Sequence, residues 1–197
     1  MFIVFEGTDG SGKTTLSKLV AGKLDFPWTK EPTFSSEKAD ELNLKSMDTS
    51  HREVEFAMDR VFHKELGLMD LVCDRYIWSG FAYCNVFNPS NLEFIKAFYG
   101  HKFFRKPDIH VFVNTPAEVC VSRGRAQSID MIERLKDAFF QTSGAFSSTP
   151  VIEVKGCGSI KATVDHIIAR IRPYMDDGAF IKEATKRYYE WFKYRTL

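Results

Sequence analysis

The 197-residue chain carries 27 Lys and Arg against 26 Asp and Glu, a net charge of +1, which gives no basis for a nucleic-acid or membrane surface. The length suits a single domain over 1–197 with a substantial core. Four cysteines (Cys73, Cys84, Cys120, Cys157) form no C-x-x-C pair, which fits a reducing compartment such as the cytoplasm, and no apolar run approaches the ~18 residues of a membrane span.

The chain opens with Phe2-Ile3-Val4-Phe5, a short apolar run that reads as a buried strand. Gly7-Thr8-Asp9-Gly10-Ser11-Gly12-Lys13-Thr14 follows and fits G-x-x-x-x-G-K-[ST], a phosphate-binding loop. Its start at residue 7 predicts no signal peptide ahead of it. The glycines let the backbone turn so that its N–H groups surround phosphate oxygens. Lys13 adds a full charge, and the Thr14 hydroxyl can hold Mg²⁺. Leu16, Leu19 and Val20 then recur at helical spacing between Thr14 and Lys23. That helix aims its positive N-terminal end at the same place.

Pro27–Lys30 is the second strand candidate, and Lys30-Glu31-Pro32-Thr33 follows it, with Pro32 biasing Glu31 to an extended conformation. Ser50 with Glu53 forms a capping box for the next helix. Val54, Met58, Val61 and Phe62 are its expected core stripe, with Phe56 and Arg60 four apart on another face. Phe56 and Arg60 can stack on a base and bond its edge, or be a half-exposed aromatic beside a solvated cation. Leu71–Cys73 is the third strand, and Asp74-Arg75-Tyr76 ends it. Asp74 can orient Mg²⁺ or its waters, and Arg75 can fork two phosphate oxygens. The alternative is an ion pair within the loop.

Ser90 with Glu93 is a second capping box, and Ile109–Val113 and Val151–Val154 are the last two strands. Between them, Arg123-Gly124-Arg125, Ala126–Asp130 and Arg134 form a basic insertion over about 123–136. It reads as a lid over nucleotide phosphates or as an ordinary charged helix. Ile160, Val164, Ile167, Ile168 and Ile171 form one apolar helical stripe. The tail from about 178 to 197 places Ile181, Ala184, Tyr188 and Trp191 on one face, to dock on its own domain or on a second copy. The alternation of strand and helix predicts an α/β fold, a parallel sheet with helices on both faces and ligands at the carboxyl ends of its strands.

Taken together, these segments resemble the thymidylate kinase family over about residues 2 to 172. The carriers are Glu6-Gly7-Thr8-Asp9-Gly10-Ser11-Gly12-Lys13-Thr14-Thr15, Glu31-Pro32, and Phe56 to Arg60. After them come Asp74-Arg75-Tyr76 with Ser79, Ala82 and Tyr83, then Pro107-Asp108 and the arginine-bearing lid. The resemblance implies a five-stranded parallel sheet with a mobile lid, Mg²⁺-ATP as phosphoryl donor, dTMP as acceptor, and a homodimer formed near the Phe56 helix. Gly7, Gly10, Ser11, Gly12, Lys13, Thr14, Thr15 and Arg123 would hold ATP, and Thr14 and Asp74 the metal. Asp9, Lys30, Phe56, Arg60, Arg75, Tyr76, Ser79 and Tyr83 would hold dTMP, with Tyr76 against the sugar. Lys13, Arg75, Asp9 and Arg125 would be catalytic, Arg134 standing second to Arg125. Lys30 replaces the family's usual arginine and Thr33 its glycine, and the loop carries no arginine between Asp9 and Gly12. The runner-up is a deoxynucleoside kinase with Glu31 as base, or a broader deoxynucleoside monophosphate kinase. A nucleotide-driven switch or motor is the reading from another class.

Overall fold

The computed structural model describes residues 1–33, 36–42, 44, 47, 49–62, 70–101, 104–124, 128–146 and 148–175. The first apolar run becomes β1 (Phe2–Glu6), all five side chains buried. The later runs become β2 (Trp28–Lys30), β3 (Leu71–Asp74), β4 (Ile109–Val113) and β5 (Val151–Val154). They form one five-stranded parallel sheet, as expected, and its strand order is β2-β3-β1-β4-β5. Central β1, β3 and β4 are buried throughout because helices cover both faces, whereas edge strand β5 alternates exposed and buried residues.

The helices are α1 (Lys13–Leu24), α2 (Ser36–Glu41), α3 (Thr49–Phe62), α4 (Ile77–Phe87), α5 (Leu92–Tyr99), α6 (Ala117–Ser122), α7 (Ile129–Thr142) and α8, over residues 160–175. On one face Ile3, Phe5, Val72, Val111 and Val113 pack with Leu16 and Val20 of α1 and Val164, Ile167 and Ile171 of α8. On the other, Phe2, Val4 and Cys73 pack with Tyr76, Ile77, Phe81, Ile95 and Tyr99. Beside them Trp78, Phe112 and Phe139 join α4 and α7 to β4. The alternation of β1 residues between these two cores follows from the two-residue period of a strand.

Several helix expectations are corrected. Ser50 lies inside α3, which starts at Thr49, and the Glu53 carboxylate binds Arg60 and Tyr99, so it caps nothing. Ser90 sits in a 3₁₀ turn (Pro89–Asn91) and bonds Asn88, while Glu93 pairs with Lys96. Leu19 of α1 and Ile160 of α8 are exposed. On α3, Met58 and Val61 are exposed, and the buried stripe is Glu53, Ala57 and Arg60. All four cysteines are free, three of them buried. Among the described residues no helix is long and apolar enough to cross a membrane.

Candidate functional site: a phosphate loop between two cavities

The register β3-β1-β4 sets Phe5 beside Asp74 and Glu6 beside Phe112, so the loop after β1 emerges between the ends of two strands. This is the crevice where the strand order diverges, the place for a ligand in an open parallel sheet. Gly10, at φ 76°, passes so close to the Cys120 carbonyl that a Cβ would collide with it. Lys13 opens α1, and its Nζ donates to the Thr8 carbonyl at 3.0 Å and lies 3.7 Å from Asp9 Oδ1. Burial, reinforced by the nearby Arg75 charge, pushes the Lys13 pKa down to about 8, against the pull of Asp9, Asp74 and Glu6. Burial alone would raise the Asp9 carboxyl, but Arg75 and Lys13 outweigh it and hold it below the usual range.

Thr14 Oγ1 donates to Asp74 Oδ2 at 2.5 Å. Asp74 is fully buried, and its other oxygen, Oδ1, has no hydrogen-bond partner among the described residues. A hydroxyl beside a buried carboxylate with an unsatisfied oxygen fits a hydrated Mg²⁺ held jointly with nucleotide phosphates. Among the described residues no cluster of three or more His, Cys, Asp or Glu side chains could hold a metal by itself.

Arg75 takes φ 72°, and this left-handed turn swings its side chain back over the loop. Nη2 reaches Asp9 Oδ1 at 2.5 Å and Tyr83 Oη at 3.5 Å, and Nη1 donates to Ser79 Oγ at 3.0 Å. The turn is held by Glu6, whose Oε1 accepts from the backbone N–H of Tyr76 at 2.9 Å and of Ser79 at 3.2 Å, and whose Oε2 accepts from Ser79 Oγ at 2.5 Å. Glu6 thus ties β1 to the start of α4. Burial raises its pKa and the Ser79 hydrogen bonds work against that.

A cavity of about 410 Å³ opens on this side of the loop, lined among others by Asp9, Phe56, Arg75, Ser79, Tyr83 and Phe87. Arg60 forms part of its wall but is 5% exposed. Its Nε lies 3.0 Å from Glu31 Oε2, its Nη1 donates to Glu53 Oε1 at 2.8 Å and to Tyr99 Oη, and its Nη2 donates to the Tyr76 carbonyl at 3.3 Å. Arg60 is therefore no solvated cation. Tyr76, expected against a sugar, is 1% exposed, packs edge-on against Phe2 and does not line the cavity, whereas Tyr83 does. Lys30 is exposed and is likewise absent from the cavity wall. Thr33, in place of glycine, donates its N–H and hydroxyl to Asp59, fastening this loop to α3. The Glu31–Pro32 peptide is cis.

On the other side of the loop lies a cavity of about 300 Å³, lined by Gly12, Thr15, Arg123, Gly156 and Gly158 among others. Arg123 spans it, donating to the Gly10 carbonyl and the Gly156 carbonyl, each at 2.7 Å. Arg125 lies outside the described residues, as does the tail from 178 onward. Arg134 is exposed on α7. Within the 123–136 span, α7 is capped by Ser128 and buries Ile132 and Leu135.

Sequence reasoning missed four contributors. In the sequence Glu6 stands out only as part of a motif, and Glu53 carries the signature of a helix cap. Thr115 Oγ1 donates to the Ser11 carbonyl at 2.8 Å and accepts from Gly156 N–H at 2.9 Å, locking the loop to the end of β5. A Cβ on Gly156 would collide with the Ser11 carbonyl. The Gly156-Cys157-Gly158 run after a strand was the available signal.

The family model described as thymidylate kinase matches residues 5–146. A probable thymidylate kinase of Methanocaldococcus jannaschii is 35% identical over 160 residues, covering 75% of this chain and 84% of that one. The thymidylate kinase of Acholeplasma laidlawii is 26% identical over 203 residues, covering 87% and 100%. In fold, the chain is similar to the Candida albicans thymidylate kinase (TM-score 0.71, 20% identity, 88% of this chain and 92% of that one). It is also similar to a deoxyadenosine kinase of M. mycoides (TM-score 0.69, 18% identity, 88% and 100%).

Proposed function

The chain belongs to the thymidylate kinase family, ATP-dependent phosphotransferases that act on dTMP, and from that premise we propose how its site moves the γ-phosphoryl group of ATP onto dTMP. The observation that carries the proposal is a phosphate loop flanked by two cavities, with Lys13, Asp9 and Arg75 between them. ATP takes the 300 Å³ side, its base against Arg123 and its phosphates on the loop from Gly7 through Thr15. The acceptor takes the 410 Å³ side, its base on Phe56 and its phosphate toward Arg75. An oxygen of the dTMP phosphate attacks the γ-phosphorus in line, and the bond to the β-phosphate oxygen breaks, giving dTDP and ADP. Such a transfer rests on placement and charge neutralisation rather than on a protein nucleophile. Lys13 and Arg75 supply cations, and Arg125 adds another from the lid. Thr14 and Asp74 would hold Mg²⁺, which when bound neutralises charge on the phosphates.

The same reading includes a cytoplasmic protein and a homodimer paired through the exposed Met58–Val61 face of α3. A deoxynucleoside kinase is the second reading, because Glu31 borders the acceptor cavity. Glu31 is fully buried against Arg60, however, and acts there as a counter-ion rather than as a base for a sugar hydroxyl. Supplying thymidine and dTMP separately with ATP separates the two. The proposal predicts turnover of dTMP alone, and phosphorylation of thymidine would replace it.

A further inference from the structure

The residues expected to recognise the base read only half of it. The pairing edge of thymine presents O4 as acceptor, N3–H as donor and O2 as acceptor. Arg60 carries donors alone. Both N–H groups of Nη1 go to Glu53 and Tyr99 and one of Nη2 goes to the Tyr76 carbonyl, while Nε is ion-paired with Glu31 without a hydrogen bond, which leaves one N–H on Nη2 for a base carbonyl. Phe56 stacks on either pyrimidine and reads no edge. The N3–H donor therefore needs an acceptor from the cavity wall.

The other oxygen-bearing side chains of that wall are committed elsewhere. Asp9 and Tyr83 bind Arg75 at the phosphate end, Ser79 binds Arg75 and Glu6, and Glu31 is fully enclosed against Arg60 Nε. Glu53 remains. It lies on α3 three residues before Phe56, on the same side of the helix, and lines the cavity. Its Oε1 accepts from Arg60 Nη1 and, at 2.5 Å, from Tyr99 Oη. Its Oε2 accepts no hydrogen bond from the described residues. The carboxylate lies over Gly80, where any Cβ would collide with it. Oε2 is open to the cavity rather than enclosed in protein, and a bound imide N–H supplies the donor that solvent otherwise gives it.

We propose that Glu53 is a base-reading residue that accepts the N3–H of the pyrimidine, paired with Arg60 as donor to the adjoining carbonyl. The proposal rests on dTMP binding in this cavity. It makes the rejection of cytosine double, because N4–H₂ faces the Arg60 donor and the bare N3 faces the Glu53 acceptor.

The geometry dictates a specific outcome for Glu53→Gln. Arg60 and Tyr99 both donate at the Oε1 position, so the amide oxygen must sit there and the NH₂ must replace Oε2. The variant then presents a donor where the wild type presents an acceptor. The ratio of kcat/KM for dTMP over dCMP should fall by about tenfold or more. A folded variant with an unchanged ratio overturns the proposal, and a merely structural Glu53 would lower both substrates alike. Should the variant not fold, the wild type answers with 3-deaza-dTMP, which replaces N3–H by C–H at nearly the same size. Its kcat/KM should be about tenfold or more below that of dTMP, and equal values overturn the proposal. A wild type that leaves dTMP untouched removes the parent function as well, whereas normal dTMP turnover with either negative result removes Glu53 alone.

Discussion

Lys13 is a cation seated where burial and the charge of Arg75 oppose it, with its pKa down at about 8 against an ordinary 10.5. Between those values the unfolded chain holds the proton and the fold does not, so this group makes the free protein more stable as pH rises through that window. Bound polyphosphate reverses the balance and recharges the amine. ATP binding between pH 8 and 10.5 should therefore take up protons, read by calorimetry in buffers of different ionisation enthalpy. Binding without proton uptake there would contradict the account. Lys13→Ala should lower kcat by ~10²–10³, measured by initial rates, since one preorganised charge is lost at the transferring group. Arg60 carries a different load. Arg60→Met would strand Glu31 and Glu53 in the interior, an expected loss of about 3–5 kcal/mol in a urea titration. A loss under about 1 kcal/mol would mean the pair is solvated like a surface bridge. That Phe56 and Arg60 meet at one cavity wall was legible from their spacing and the motif around it. Their partner Glu53 was not, because a glutamate three residues after a serine carries the same local signature as a capping box.

Hydrophobic periodicity works where an element faces a dry core, and β4 and β5 took the bounds their apolar runs suggested. It failed on α3, whose inner face carries buried ion pairs and so is built from Glu53, Ala57 and Arg60 rather than from Val54, Met58 and Val61. Within β4, His110 is fully buried, edge-on to Trp78 and Phe146, and neither ring nitrogen has a hydrogen-bond partner. Burial lowers its pKa to about 4 from 6.5. The unfolded chain then binds the extra proton between those values, so stability is lost as pH falls from 6.5 toward 4. His110→Phe should flatten the stability–pH curve in that window, measured by urea unfolding at stepped pH. An unaltered slope would show that other groups set it.

For the whole molecule, the alternation of strands and helices announced a parallel sheet, and the loop motif announced where the ligand edge lies. Strand order was not legible, since pairing β1 between β3 and β4 joins residues far apart in sequence. Nor was the junction of Thr115 and Gly156 with the phosphate loop, which depends on two backbones approaching each other across the sheet edge. The assembled site sets one cavity on each side of the phosphate loop. The most direct test of that arrangement follows the fate of phosphorus. ATP labelled on its γ-phosphorus is mixed with dTMP and Mg²⁺, and the products are separated. The account predicts label in the β-phosphate of dTDP in proportion to the ADP formed. Label released chiefly as inorganic phosphate, at a rate indifferent to dTMP, would contradict it.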